Sequence, residues 1–261
     1  MSAGRTLTYF ISDLHLGARY MADSRAHEAR VVGFLQRIAP TARRLYLVGD
    51  VLDYWFEYRH VVPKGHVRFL AALAALADSG VEVVWYAGNH DIWLFGYLRE
   101  ELGVDVRDPK PGGEIIDVDG TTFFIGHGDG IGYRSPGFRI IRSLFRNRLC
   151  QRLFAAIHPG LTVPLAYRWS NHSRKGYSTP TALDPNVRTS LEIFSRSLAT
   201  EHPELRYIVI GHHHVPVDEP VAANCRLIVL GDWISRHTYG VFDPADTSFA
   251  LREYPAGTTL A

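Results

Sequence analysis

Short clusters of aspartate, asparagine and histidine recur along the chain. They are Asp13 and His15 in FISDLHLG, Asp50 and Asp53 in LVGDVLD, Asn89, His90 and Asp91 in YAGNHD, His127 and Asp129 in FIGHGDG, and His212, His213 and His214 in VIGHHH. Each follows directly on an apolar, β-rich run. One such residue after a strand is an ordinary turn former or cap. All of these clusters together mean more, because loops leaving the C-terminal ends of strands in an α/β sheet converge on one crevice. The sequence therefore predicts a site for more than one metal ion. Carboxylate, imidazole and amide donors suit Mn²⁺, Fe, Zn²⁺ or Mg²⁺ rather than copper(I) or an iron–sulfur cluster. Ions about 3.5–4 Å apart, bridged by an aspartate, clamp phosphoryl oxygens in hydrolases.

Spacing adds orientation. In an extended segment alternate side chains share a side. Asp13 and His15 then point one way and Leu14 into the core. His212 and His214 likewise face one way and His213 the other.

The runs that carry these residues are TLTYFIS (6–12), RLYLVGD (44–50), VEVVWYAG (81–88), GTTFFIG (120–126), YIVIG (207–211) and RLIVLGD (226–232). Between them, 22–39 places Val31, Phe34, Leu35 and Ile38 at helical spacing. Residues 67–80 are rich in Ala and Leu and end at Gly80, a C-terminal cap. Residues 184–202 open with Asp184 as N-cap and Pro185 in the first helical position. Strands alternating with helices predict α/β layers. EIIDVDG and TTFFIG read as a hairpin turning at Asp119-Gly120, which makes the sheet mixed.

With 261 residues, a hydrophobic share of 46% and a net charge of +1, the chain can bury a sizeable core and has no global pull toward nucleic acid. Its only cysteines, Cys150 and Cys225, are too few for a disulfide scaffold or a cysteine zinc site, and a reducing compartment is expected. No signal peptide is read at the N-terminus, and no apolar run reaches the length of a spanning helix.

One stretch breaks the average. Between Asp129 and Asp184 there is no Asp or Glu, yet it carries Arg134, Arg139, Arg142, Arg146, Arg148, Arg152, Arg168, Arg174 and Lys175. FRIIRSLFRNRLCQRLFAAIH sets Ile140, Ile141, Leu144, Phe145, Leu149 and Leu153 at helical spacing among those arginines. It reads as one basic amphipathic helix ended by Pro159, within a mostly helical insertion at about 134–180. Two readings stand: a lid that packs its apolar face on the body, or a cap that meets acyl chains and anionic lipid. The aromatic strip Tyr54-Trp55-Phe56 likewise suits either core or a ligand pocket.

The ordered set D-x-H, G-D-x-x-D, G-N-H-D, G-H and G-H-x-H resembles the calcineurin-like metallophosphoesterases over nearly the whole chain. The longer forms GDVLDYWFEY, GNHDIWLFGY and HGDGIG, with the insertion, look like the UDP-2,3-diacylglucosamine pyrophosphatases of lipid A biosynthesis. The resemblance implies a single domain (1–261) with a four-layer α/β/β/α sandwich, two mixed sheets and a helical lid. It implies two divalent ions, Mn²⁺ first, one held by Asp13, His15, Asp50 and His214 and the other by Asp50, Asn89, His127 and His212. Asp50 would bridge, and His90 would donate to the phosphate or leaving group. Asp53 either orients a metal-bound histidine or caps a turn, and Asp91 either fixes His90 or caps the turn that follows. Arg19, Asp129, Ser170, Asn171, Arg174 and Lys175 are the expected substrate contacts.

The expected reaction is hydrolysis of UDP-2,3-diacylglucosamine to UMP and 2,3-diacylglucosamine 1-phosphate. The enzyme would be cytoplasmic, peripheral on the inner membrane through its basic insertion, with no nucleic acid and no obligate protein partner. The alternative is a phosphodiesterase or nucleotide phosphatase acting on a soluble substrate. A non-catalytic scaffold of the same fold fits poorly, since all seven ligand positions are retained.

Overall fold

Strand β1 (Leu7–Ile11) turns Tyr9 and Ile11 to one face and Phe10 to the other, and all three are buried. The same two-sided burial holds in β2 (Ala42–Val48), parallel to β1, and in β3 (Glu82–Tyr86), parallel to β2. A strand covered on both faces reads as a continuous apolar run, which explains LYLV and VVWY. The computed structural model describes residues 4–109, 112–131, 136–173 and 181–255.

The first sheet is completed by β4 (Asp105–Arg107), parallel to β3, and by β10 (Thr238–Asp243) and β11 (Ser248–Glu253), both antiparallel to their neighbours. Its order is β11-β10-β1-β2-β3-β4. The second sheet holds β5 (Glu114–Val118), β6 (Thr121–Gly126), β7 (Leu205–Ile210), β8 (Val217–Ala222) and β9 (Cys225–Val229), in the order β5-β6-β7-β9-β8. Here β6, β7 and β9 are parallel, while β5 and β8 run against them. The expected hairpin is β5–β6, and both Asp119 and Gly120 take positive φ, the conformation a two-residue hairpin turn requires.

Three apolar seams separate four layers. Between the sheets lie Phe10, Tyr46, Phe123, Tyr207 and Phe242, with Phe10 stacked on Tyr46 at 5.0 Å and on Phe123 of the facing sheet at 5.7 Å. Each such side chain contributes about 1.5–3 kcal/mol by leaving water. Outside the first sheet, α1 (Ser24–Ile38) and α2 (Val67–Asp78) cover Ile11, Leu45, Leu47 and Trp85. Outside the second, α7 (Pro185–Glu201) sets Leu191 and Ala199 against Ile208 and Ile210. Asp184 caps α7 as expected, accepting from Asn186 N at 2.9 Å. In α2 the capping residue is Ser79, and Gly80 stands one place beyond it at φ 92. The short α3 (Tyr97–Leu102), β4, β8, β10 and β11 were not foreseen; they are brief or lack a strong apolar period.

The insertion corrects the sequence reading. The single helix expected through 138–158 is two, α4 (Pro136–Arg146) and α5 (Arg148–Ala155), and a third, α6 (Pro159–Ser173), follows them. Asn147 breaks the run by capping α5, its side chain accepting from Leu149 N at 2.9 Å. Pro159 opens a helix instead of ending one, since the first helical position needs no N–H. Phe145, Phe154, Val163, Ala166 and Tyr167 pack on Tyr54, Phe56, Ile92 and Trp93 of the body. Trp93 Nε1 donates to Phe145 O at 2.9 Å, and its ring stacks on Phe154 at 5.6 Å. Thus Trp55 is core, whereas Tyr54 and Phe56 form the floor under the insertion. The aliphatic stripe does not pack on the body: Ile140, Leu144, Leu149, Leu153, Ile157, Leu161 and Leu165 are 47–69% exposed.

Candidate metal centre

The loops that follow β1, β2, β3, β6 and β7 meet at one end of the two sheets. Asp13 N donates to Gly49 O at 3.1 Å and His15 N to Asp50 O at 2.9 Å, which lays the β1 loop along the β2 loop. His212 N donates to Asp13 Oδ2 at 2.8 Å, bringing in the β7 loop. His90 N donates to Asp50 Oδ1 at 2.8 Å, bringing in the β3 loop. Close approach depends on glycine: a Cβ on Gly88 would overlap the Asp50 carboxylate, and one on Gly211 would overlap Asp13 Oδ2 and Ser12.

Three groups of possible ligands result: Asp13–His15–His214, Asp50–His127–His212, and His15–Asp53–His90, which shares His15 with the first; the first two are the candidate metal clusters. Asp13 Oδ1 lies 3.4 Å from His214 Nε2 and 3.8 Å from His15 Nε2. Asp50 Oδ2 stands between the clusters, 3.3 Å from His127 Nε2 and 3.8 Å from His15 Nε2. Asn89 Oδ1 is 3.3 Å from His127 Nε2. His213 belongs to neither cluster, and its ring meets His212 edge-on at 5.1 Å. The shared direction of Asp13 with His15 has a different origin from the one expected. These segments are not extended: Asp13, His15, Asp50, His212 and His214 all have φ between 44° and 69°. For residues with a Cβ that costs about 1–3 kcal/mol each, and such strain gathers at functional sites.

Burial sharpens the electrostatics. Asp13 and Asp50 are enclosed at 0% and 1% exposure, and no Lys or Arg pairs with either among the described residues. Burial raises the Asp13 carboxyl above its ordinary range. Burial pushes Asp50 the same way, but His127, His90 and His15 outweigh it and hold it well below that range. Burial opposes a charge on His127, yet Asp50 and Asp13 lift it to about 10. Among the described residues Asp13 Oδ1 accepts no hydrogen bond, although it is sealed from solvent. Buried carboxylates aimed at imidazole nitrogens, with no Lys or Arg beside them among the described residues, fit divalent metal ions.

Residues 7–216 match the sequence profile of the calcineurin-like phosphoesterases. The chain belongs to that family. Among curated relatives, a protein named UDP-2,3-diacylglucosamine hydrolase from Porphyromonas gingivalis is 40% identical over 252 residues, covering 92% of this chain and 95% of the relative. One of the same name from Salmonella paratyphi B is 30% identical over 237 residues, covering 87% and 90%. Among solved structures, a dimetal phosphatase from Danio rerio is similar with a TM-score of 0.43 and 16% identity, over 92% of this chain and 93% of that one.

Around the phosphoesterase centre, Asp53 faces two histidines, its Oδ1 lying 3.4 Å from His15 Nδ1 and 3.6 Å from His90 Nδ1. The hydrogen bonds of Asp91 serve neither of its two expected roles, fixing His90 or capping the turn that follows. Asp91 accepts from Gly88 N at 2.7 Å, Val51 N at 2.8 Å and Trp85 Nε1 at 3.2 Å, clamping the β2 loop to the β3 loop. Burial, then the neighbouring Asp50 charge, raises Asp91 to about 6. Arg19 is exposed, its guanidinium 4.6 Å above the Tyr167 ring of the insertion. Asp129 lines a small cleft with His127, Tyr86, Asp108 and Arg146, and Arg146 bonds to Asp108 and lies 4.0 Å from Asp129. Arg174 and Lys175 lie outside the described residues, as do the side chains of Ser170 and Asn171. One residue was missed: Asp232, whose Oδ2 is 3.5 Å from His214 Nδ1. Its signal was present, for RLIVLGD ends in Gly-Asp as RLYLVGD does.

Proposed function

We propose that the chain is a two-metal hydrolase that cleaves the diphosphate of UDP-2,3-diacylglucosamine to UMP and 2,3-diacylglucosamine 1-phosphate. The observation that carries this is the 40% identity to a UDP-2,3-diacylglucosamine hydrolase over 92% of the chain, a coverage too wide to leave out the insertion. In this reading Asp13, His15, Asp50 and His214 hold one ion and Asp50, Asn89, His127 and His212 the other. The paired clusters on either side of Asp50 Oδ2 support that division. Two divalent ions held there, manganese in our reading, would make hydroxide available near neutral pH and offset phosphoryl charge.

His90 acts on the leaving side. Its Nδ1 lies 2.9 Å from the Asp53 carbonyl, which can only accept, so Nδ1 carries a proton and Nε2 is left to exchange one with the phosphate or leaving group. Asp129 and Arg19 are our candidates for sugar and diphosphate contacts, a reading supported by the position of Asp129 beside His127 and of Arg19 against Tyr167 of the insertion. The contacts assigned to Ser170, Asn171, Arg174 and Lys175 rest on the sequence alone.

The solvent-facing aliphatic stripe of α4–α6, set among arginines, suits acyl chains and an anionic membrane surface on the cytoplasmic face of the inner membrane. No described helix is long and apolar enough to cross a membrane. The test is product analysis by mass spectrometry with Mn²⁺ in ¹⁸O-water. Labelled UMP is expected. Cleavage of a simple aryl phosphodiester without turnover of the lipid nucleotide would defeat the substrate and favour a soluble one.

A further inference from the structure

The two halves of the centre are backed differently. Behind Asp13–His15–His214 stand two buried carboxylates, Asp53 against His15 Nδ1 at 3.4 Å and Asp232 against His214 Nδ1 at 3.5 Å. In the other half, His127 Nδ1 donates to the main-chain oxygen of Val48 at 2.9 Å. A carbonyl fixes the imidazole tautomer and adds no charge. A carboxylate fixes the tautomer and also makes the opposite nitrogen a stronger donor.

Asp232 is held rigidly for this task. It is 1% exposed, and its Oδ1 accepts from Ser235 N at 2.8 Å and Arg236 N at 3.1 Å. Next to it, Trp233 N donates to Asp13 O at 3.1 Å, so the turn carrying Asp232 is tied to the loop carrying Asp13 and His15.

We propose that Asp232 is a positioning residue for His214, and that Asp232 and Asp53 make the Asp13–His15–His214 half the tighter of two divalent-cation positions, the first filled and the last emptied. This rests on the two-metal reading above. With Asp50 shared, the ligands already differ by the Asp13 carboxylate against the Asn89 amide, and the carboxylates behind His15 and His214 add to that difference.

The experiment is calorimetric titration of Mn²⁺ alone into chelator-treated full-length protein. Wild type should show two binding events of unequal affinity. Asp232→Asn keeps the size of the side chain and an oxygen for the turn but removes the charge. It should weaken the tighter event by about tenfold to a hundredfold and leave the weaker one in place. Asp53→Asn should weaken the same event, and His127→Gln should remove the weaker event and spare the tighter. The proposal is overturned if Asp232→Asn acts on the weaker event, or if His127→Gln abolishes the tighter one. A lower melting temperature of the metal-free Asp232→Asn protein with both affinities intact would also overturn it, leaving Asp232 a turn cap. Should Asp232→Asn fail to fold, Asp53→Asn and His127→Gln decide the same question. A single binding event in wild type would defeat the two-metal reading itself, whatever the substrate.

Discussion

His90 donates its Nδ1 proton to the main-chain oxygen of Asp53 across 2.9 Å, while the Asp53 side chain faces His15 Nδ1 at 3.4 Å. One residue thus holds both the proton-transfer candidate and a metal-ligand candidate, and it ties the geometry of one to the other. His90→Gln should lower kcat by about 10²–10⁴-fold while bound metal, measured by elemental analysis, stays at the wild-type level. Loss of metal in step with activity would assign His90 to the metal shell instead.

The three consecutive histidines should separate in function. His212 and His214 fall in opposite clusters and His213 in neither. His212→Ala and His214→Ala should abolish turnover, whereas His213→Thr should keep most of it. Equal losses at all three would refute this division of the loop.

The exposed stripe on the insertion should bind lipid. Leu149, Leu153 and Leu161 are each more than 60% exposed, so changing them together to Gln removes no core packing. The triple variant should keep its melting temperature and lose about tenfold or more in binding to phosphatidylglycerol vesicles, read by sedimentation. Unchanged vesicle binding would leave the stripe without a membrane role.

Acid should destabilise the fold through His237. Burial, then the nearby Arg30 guanidinium, lowers this imidazole to about 4, and its Nε2 accepts from Arg30 Nη1 at 3.1 Å. The unfolded chain takes up the proton near 6.5 and the folded one only near 4. Between those values the unfolded state binds more protons. The contribution is therefore complete above about pH 6.5 and is lost as pH falls toward 4. His237→Asn, which tolerates the φ of 53° at this position, should flatten the fall in melting temperature between pH 6.5 and 5. An unaltered slope would exclude His237 as a source of acid sensitivity.

Much of this architecture is legible in residue order. Runs such as LYLV and VVWY announce strands covered on both faces, and Asp184-Pro185 announces a helix start. The insertion was harder. Its helical period is sound, but period does not show that Asn147 caps a new helix, nor that the aromatics face inward while the aliphatics face out. Asp232 escaped because a Gly-Asp after a strand has no meaning until its neighbour is known, and its partner His214 sits on a different strand end.

The sequence by itself determined which donors stand at the strand ends, and so the class of chemistry, because residue type and strand period are local properties. The tertiary structure decided which of those donors stand together in space. His212 meets Asp13 from 199 residues away, and Asp91 clamps the Asp50 loop rather than supporting its neighbour His90. Such pairings follow from the order of strands in two packed sheets and from left-handed turns at the strand ends. Local spacing carries neither.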